Sequence, residues 1–206
     1  MRTIGIQRSA QSMEAAVRRM GVALFAVLLG CCSMAEIAGA AADDAWKALR
    51  AGGYVALMRH ADAPGGFGDP PGFRVGDCAT QRNLSEKGRA DAAKIGARLE
   101  REGIAFEKIL SSPWCRCIDT ANLLNLGTAE TEATFGNVVV LRDQREALTA
   151  GARALIAQWT AAGNLLVVTH GANILALTGV SPASGEIVVV KGGSNLAEPV
   201  GRLRLD

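Results

Sequence analysis

Two histidines occupy equivalent positions in the sequence, each directly after a run of apolar residues. His60 follows YVALMR and His170 follows NLLVVT, and the chain contains no other histidine. Each apolar run predicts a buried strand. Ligands bind beyond the carboxyl ends of the strands in open α/β sheets, so neighbouring parallel strands would bring both imidazoles to one crevice. A single histidine there could simply be bonded to a backbone carbonyl, but the repeated position favours a shared site.

Two arginines accompany the histidines. Arg59 directly precedes His60, and a guanidinium at the end of a buried strand is unfavourable unless an anion meets it. Arg116 lies in SSPWCRCIDTA, which begins at the end of a second predicted strand and continues as a helix. An arginine close to a helix N-terminus is suited to phosphate or carboxylate. The four side chains together predict an anion site.

Helices and strands that could position these residues alternate along the chain. The helices are predicted over 43–53, 86–103, 114–124, 147–163 and 172–179. The strands are predicted over 54–58, 108–113, 137–141, 164–170, 186–191 and 200–205. The alternation predicts a three-layer α/β/α sandwich, and the uninterrupted apolar strands favour a largely parallel central sheet. Ser85 is predicted to cap the second helix.

The composition narrows the class of protein. The chain has 206 residues, with 22 Lys and Arg against 20 Asp and Glu. This balance, without long charge runs, predicts no nucleic-acid partner. Nearly half of the residues are hydrophobic, which suffices for the core of one domain.

The first part of the chain predicts export. Two arginines precede an apolar stretch that ends in small residues near Ala40 and Ala42, the pattern of a secretory signal peptide. The apolar part is shorter than the about 20 residues of a membrane span. We therefore predict a signal peptide over 1–42, one domain over 43–206, and a periplasmic or secreted protein.

Two features of this segment leave alternatives open. LLGC at 28–31 approximates a lipoprotein-processing site, so the mature protein is alternatively lipid-anchored. Contact with a membrane is expected only through the signal peptide or such an anchor. Translation from Met13 is also compatible with the signal.

Export changes the expected state of the cysteines. Cys31 and Cys32 fall within the predicted signal peptide, which leaves Cys78, Cys115 and Cys117 in the mature chain. In an oxidising compartment two of these three are expected to pair. Cys78 is the expected partner of either Cys115 or Cys117.

Four segments resemble the histidine phosphatase (phosphoglycerate mutase-like) superfamily. They are, in order, the Arg59-His60 pair, NLSEKGRADA, SSPWCRCIDTA and VVTHGAN. The motifs are weak singly but specific as a set, and they span 53–175. The resemblance implies a phosphoglycerate mutase-like fold, and the short loops indicate a compact member. The chain is also similar to the exported branch that includes lipopolysaccharide core heptose-phosphate phosphatases.

The resemblance implies a role for each residue of the anion site. His60 is expected to be the nucleophile that forms a phosphohistidine. Arg59, Arg116 and His170 are expected to surround the phosphoryl oxygens. Neither a metal nor a cofactor is expected, and the substrate is expected to be a small-molecule or envelope phosphomonoester. A phosphohistidine-bearing protein is a further substrate that the sequence leaves open. Ala61 replaces a glycine common in the family, and its side chain is expected to narrow the pocket or alter the orientation of His60.

The proton donor is less clearly marked. Members of the superfamily often supply a glutamate after the third strand, where VVVLRDQREAL offers Asp143, with Glu146 as the alternate. Acid-phosphatase members place an aspartate after the second histidine, where this chain has Gly171. Arg82 in QRNLS is a further candidate for phosphate binding.

Three other functions compete with hydrolysis. Cys115 and Cys117 flank Arg116, and such pairs occur in redox or metal-binding proteins. The same fold can also serve as a phosphate or phospho-sugar binding module without turnover. A mutase is disfavoured because its phosphoglycerate substrates are cytoplasmic. Hydrolysis is therefore the leading prediction.

Overall fold

Six strands form one mixed sheet in the computed structural model, which describes residues 42–66, 68–194 and 198–205. They are β1 (Tyr54–Arg59), β2 (Phe106–Ser111), β3 (Ala129–Thr131), β4 (Asn164–Thr169), β5 (Ile187–Lys191) and β6 (Pro199–Leu203). The order across the sheet is β3-β2-β4-β1-β5-β6. Only β5 runs against the other described strands. The sheet is therefore largely parallel, as predicted.

Helices cover both faces of the sheet. They are α1 (42–51), α2 (Glu86–Arg101), α3 (Cys115–Leu124), α4 (Arg145–Gln158) and α5 (Gly171–Thr178). The first three pack on one face through a core that includes Leu49, Ile95 and Leu124. The last two pack on the other face through Ile156 and Ile174. The predicted three-layer α/β/α sandwich is confirmed.

Burial on both faces explains why β1 is apolar from Val55 to Met58. Ala56 and Met58 belong to the core beneath α1, α2 and α3, whereas Val55 and Leu57 belong to the core beneath α4 and α5. All four side chains are fully buried. Successive residues of a strand point to opposite faces, so a strand covered on both sides needs apolar residues at every position.

The register of β1 and β4 brings their carboxyl ends together. Arg59 lies opposite Thr169 in the parallel ladder. The next residues, His60 and His170, therefore leave the sheet side by side. The amide of His60 still donates to the Thr169 carbonyl at 2.9 Å.

A disulfide ties the glycine-rich loop after β1 to the beginning of α3. It joins Cys78 to Cys115 across a sequence separation of 37, and Cys117 is a buried free thiol. Of the two partners that the sequence leaves open for Cys78, the structure thus selects Cys115. A cross-link over a loop of this length stabilises the fold by about 3–4 kcal/mol in the chain-entropy account.

The predicted strand over 137–141 is wrong, because this segment forms a turn. The amides of Val140 and Leu141 both donate to the Asn137 carbonyl, at 3.1 and 2.9 Å. The Asn137 side-chain oxygen accepts from the amide of Val139 at 3.0 Å. Such local bonds compete with a sheet ladder, and the third strand is instead the short β3.

The other elements agree with the sequence-based predictions within a few residues. Ser85 caps α2 as predicted, since its hydroxyl accepts from the amide of Gly88 at 2.9 Å. The predicted signal peptide, with Met13, Cys31 and Cys32, lies outside the described residues except for residue 42.

No helix within the described ranges has the length and apolar character needed to cross a membrane.

Candidate active site

A cavity of about 500 Å³ opens at the carboxyl ends of β1 and β4. Four basic side chains line it, from Arg59, His60, Arg82 and His170. Both imidazoles are 3% exposed, and their ring centroids lie 5.6 Å apart in an edge-to-face arrangement. The strand order therefore brings the two histidines into one cavity.

A bond to the backbone fixes the ring of His60. Its Nδ1 lies 2.8 Å from the carbonyl oxygen of Ala61, and because a carbonyl only accepts, Nδ1 carries the proton. Burial lowers the pKa of His60 to about 3, although the bond to Ala61 opposes this shift, and the charges of Arg116 and Arg59 lower it further. The imidazole is therefore neutral at ordinary pH, with the lone pair on Nε2. This is the form in which histidine acts as a nucleophile.

His170 has the opposite tautomer. Its Nδ1 lies 3.4 Å from Nη2 of Arg116, and a guanidinium can only donate. Its Nε2 therefore carries the proton, which it directs at Oγ of Ser112, 2.8 Å away. Burial lowers the pKa of His170 well below its ordinary value, and the neighbouring His60 and Arg116 lower it further. Both histidines are thus neutral and have complementary proton positions.

Two guanidinium groups line the cavity beside the imidazoles. Nη1 of Arg59 donates to the Pro182 carbonyl at 2.9 Å, whereas its buried Nε has no hydrogen-bond partner among the described residues. Nε of Arg82 donates to the Gly68 carbonyl at 3.0 Å, and its Nη1 donates to the Ala63 carbonyl. Burial lowers the pKa of both arginines, but arginine stays charged in proteins. The cavity therefore presents two fixed positive charges.

Arg116 lies behind the cavity instead of lining it, which corrects the sequence-based expectation. Its side chain is fully buried and forms an ion pair with the fully buried Asp69 at 2.7 Å. Asp69 also accepts from the indole of Trp114 at 2.9 Å and from the amide of Arg82 at 3.1 Å. This carboxylate balances the charge of Arg116. The guanidinium of Arg116 also contacts the site through its bonds to the Arg82 carbonyl at 3.2 Å and to Nδ1 of His170 at 3.4 Å. Arg82 is the second guanidinium that reaches the cavity.

Neither predicted proton donor reaches the cavity. Asp143 lies in a short 3-10 turn that precedes α4, and Glu146 lies in the first turn of α4. Both residues are exposed, and neither belongs to the lining. Both were placed by a third strand over 137–141. That segment is a turn, and Asn137 and Val139 of this turn line the cavity, whereas Asp143 and Glu146 do not.

Ala61 does not narrow the cavity. Its side chain is 1% exposed and packs with a separate cluster that includes Leu84 and Ala92. Its amide donates to Oγ1 of Thr120 at 3.1 Å, and the Thr120 hydroxyl donates to the Arg116 carbonyl at 2.7 Å. The alanine therefore joins the end of β1 to α3.

Gly171 leaves space for the guanidinium of Arg59. A Cβ at Gly171 would lie 3.2 Å from Cδ and 3.4 Å from Nε of Arg59. These distances are at or below ordinary van der Waals contact, so a side chain at position 171 would require Arg59 to shift by a few tenths of an ångström.

Sequence reasoning missed Asp69 and most of the outer wall of the cavity. The missed lining residues are Gly66, Gly68, Asn137, Val139, Ala172, Leu175 and Ser181. Asp69 is one acidic residue in a loop of glycines and prolines, and no local pattern identifies its partner. Leu175 belongs to the apolar pattern of α5, and only its 45% exposure distinguishes it from a core residue.

The fold and the site resemble those of known proteins. The model of the histidine phosphatase superfamily (branch 1) matches residues 55–137. This segment contains β1 with His60, the loop with Arg82, and α3 with Arg116. Residues 55–137 therefore resemble the histidine phosphatase superfamily, and the fold of the chain agrees with that resemblance. No protein with curated annotation matches the chain significantly.

Three solved structures illustrate the shared fold. The protein histidine phosphatase SixA complexed with tungstate is 20% identical, with 73% of this chain and 96% of that chain covered and a TM-score of 0.52. The open reading frame Rv3214 from Mycobacterium tuberculosis is 16% identical, with 71% and 98% covered and a TM-score of 0.52. A Thermus thermophilus protein, TTHB049, is 16% identical, with 74% and 99% covered and a TM-score of 0.51. At these identities the likeness shows the fold.

Acidification should destabilise the protein through its two histidines. Their pKa values are lowered in the folded state, so the unfolded chain binds more protons below about pH 6.5. The free energy of unfolding is therefore expected to fall between about pH 6.5 and 5, with a slope approaching about 1.4 kcal/mol per pH unit for each histidine. Denaturant titrations at several pH values measure this slope.

A histidine variant provides the control for this measurement. His60→Asn should reduce the slope by about half. The lowered pKa values of Asp69, Glu102 and Glu132 contribute mainly at lower pH, because their unfolded-state values lie near 4. If the slope is unchanged in His60→Asn, the lowered pKa of His60 does not contribute to the pH dependence of stability, and the prediction is wrong.

Proposed function

We propose that this protein is a phosphomonoester hydrolase that works through a phosphohistidine on Nε2 of His60. In the first step the Nε2–phosphorus bond forms as the bond from phosphorus to the ester oxygen breaks. In the second step a water oxygen bonds to phosphorus as the Nε2–phosphorus bond breaks and its electron pair returns to Nε2, which leaves inorganic phosphate and free His60. The observation that carries the proposal is a buried, neutral His60 whose Nδ1 is committed to the Ala61 carbonyl in a cavity lined by two arginines.

The charges of the cavity suit this chemistry. Phosphoryl transfer depends mainly on positioning and on stabilisation of negative charge. Arg59 and Arg82 supply two positive charges, and the Nε of Arg59 has no partner within the described chain. We extend the proposal to turnover without a metal, since these guanidinium groups already provide the compensating charge.

Tungstate binding by a relative with the same fold supports an oxyanion site. That relative is the protein histidine phosphatase SixA, whose structure contains tungstate. Tungstate is a tetrahedral oxyanion like phosphate. In this chain such an anion would meet the guanidinium groups of Arg59 and Arg82, beside the unprotonated Nε2 of His60.

A thiol-based function is disfavoured by the state of the cysteines. Cys115 is joined to Cys78, so Cys115 and Cys117 are not a free dithiol. Burial raises the pKa of Cys117 to about 12. The Cys117 thiol is therefore protonated at neutral pH, and the thiolate is the reactive form.

Activity measurements test the proposal. Para-nitrophenyl phosphate should be hydrolysed in the presence of EDTA. His60→Asn should lower kcat by at least about a thousandfold because the nucleophile is lost, and Arg59→Ala or Arg82→Ala should lower kcat/KM by about a hundredfold. Arg101→Ala is the matched control, because Arg101 is an exposed residue of α2 outside the cavity.

The binding-module alternative predicts a different result. It predicts that the protein binds inorganic phosphate but shows no hydrolysis between pH 5 and pH 8. That outcome, or full activity in His60→Asn, would contradict the proposed enzyme.

We also propose that the protein acts outside the cytoplasm on a small-molecule or envelope phosphomonoester. The pattern of residues 1–42 and the Cys78–Cys115 disulfide support export, because stable disulfides occur mainly in oxidising compartments.

Mass spectrometry of the protein from fractionated cells tests export. The expected product lacks the signal segment and retains the disulfide. A lipid mass on Cys31 would indicate the lipid-anchored form, whereas a cytoplasmic protein that retains residues 1–42 would contradict export.

A further inference from the structure

The cavity has an apolar region beside its basic residues. Val139, Ala172 and Leu175 contribute to the lining. Leu175 is 45% exposed and is one of two large hydrophobic residues, with Val75, that the described chain leaves exposed. Leu175 therefore presents apolar surface to whatever occupies the cavity.

The fold places this apolar region close to the proposed phosphoryl site. α5 begins directly after His170, and Ala172 and Leu175, three residues apart, lie on the same side of this helix. Leu175 follows His170 by five residues, which is about 7–8 Å along a helix axis. A phosphoryl group held by Arg59 and Arg82 would therefore place its leaving group within reach of this region.

The size of the cavity leaves room for more than a phosphoryl group. Its volume of about 500 Å³ lies within the range of about 300–1,000 Å³ typical of small-molecule sites. A leaving group as large as an aromatic ring can therefore bind beside Val139 and Leu175.

Carboxylates from the segments around the cavity are engaged elsewhere. Asp69 binds Arg116, Asp62 accepts from the hydroxyl of Ser85 at 2.6 Å, and Glu186 is paired with an arginine. Burial raises the pKa of Asp69, but its hydrogen bonds, first that from Arg116, lower it further and leave it below its ordinary value. A general acid at neutral pH needs the opposite shift. The arrangement therefore suits a leaving group that departs without strong protonation.

We propose that the site selects phosphomonoesters of phenols, whose leaving group is an apolar aromatic ring carrying a weakly basic oxygen. This inference rests on the proposed phosphatase function and narrows its substrate class. The ring packs against Leu175 and Val139 while Arg59 and Arg82 hold the phosphoryl oxygens. As the phosphorus–oxygen bond breaks, its electron pair stays on the phenolic oxygen, which then takes a proton from water. A phenol has a pKa of about 10, so its anion is a much better leaving group than an alkoxide.

Three esters separate the two parts of this preference, which are the apolar contact of the leaving group and the low basicity of its oxygen. Phenyl phosphate has an apolar and weakly basic leaving group, cyclohexyl phosphate an apolar and strongly basic one, and glycerol 3-phosphate a polar and basic one. We expect kcat/KM to be about a hundredfold higher for phenyl phosphate than for glycerol 3-phosphate. Cyclohexyl phosphate should compete for the site as tightly as phenyl phosphate and be hydrolysed more slowly.

A pair of variants assigns the apolar contact. Leu175→Ser should raise KM for phenyl phosphate about fivefold and leave KM for glycerol 3-phosphate unchanged, because only the apolar contact is removed. Val75→Ser is the matched control, since Val75 is 50% exposed and lies outside the cavity lining. This control should leave both values unchanged.

The outcomes distinguish this inference from the proposed function. Equal kcat/KM for phenyl phosphate and glycerol 3-phosphate, or an equal effect of Leu175→Ser on both esters, would overturn the substrate class while the phosphatase stands. If none of the three esters is hydrolysed, the proposed phosphatase function itself is overturned.

Discussion

Five residues of β1 pair with five of β4 in a parallel ladder that runs from Val55 opposite Leu165 to Arg59 opposite Thr169. The position of both histidines depends on this pairing. A slip of one residue would turn each side chain to the other face of the sheet and separate the imidazoles. Burial on both faces holds both strands in place, and the bond from the amide of His60 to the Thr169 carbonyl extends the ladder to the site. The apolar core thus determines the relative position of the two histidines.

A balance of buried charge completes the site. Asp69 neutralises Arg116, so this ion pair can be buried behind His170. Arg59 and Arg82 keep their charges at the cavity, and these charges disfavour protonation of both histidines. The Cys78–Cys115 disulfide joins the loop that carries Asp69 and Arg82 to the helix that carries Arg116. The loop and the helix therefore form one electrostatic unit.

The sequence predicts the parts of this structure that follow from burial and periodicity. The central residues of the runs before His60 and His170, at 55–58 and 165–168, are all apolar, because both faces of their strands are covered. The apolar run at 137–141 has the same appearance, but bonds around Asn137 fold it into a turn, and hydrophobicity alone does not distinguish the two. The proton-donor prediction for Asp143 depended on that strand and was therefore misplaced.

Contacts between distant segments account for the rest of what the sequence did not predict. Arg116 and Arg82 are both arginines in suggestive motifs, and only the position of Asp69 decides which one reaches the cavity. The partner of Cys78 was also open in the sequence, because the disulfide joins two segments that are distant along the chain. Charge partners 47 positions apart are set by tertiary packing, about which a single sequence carries little information.

Trapping the phosphorylated protein tests the role of His60 most directly. Wild-type protein mixed with radiolabelled phosphomonoester and quenched in alkali, in which phosphohistidine persists, should retain label on the polypeptide. His60→Asn should retain none, whereas Cys117→Ser should be labelled like the wild type. Label that persists in His60→Asn, or hydrolysis by a wild-type protein that never becomes labelled, would contradict the account.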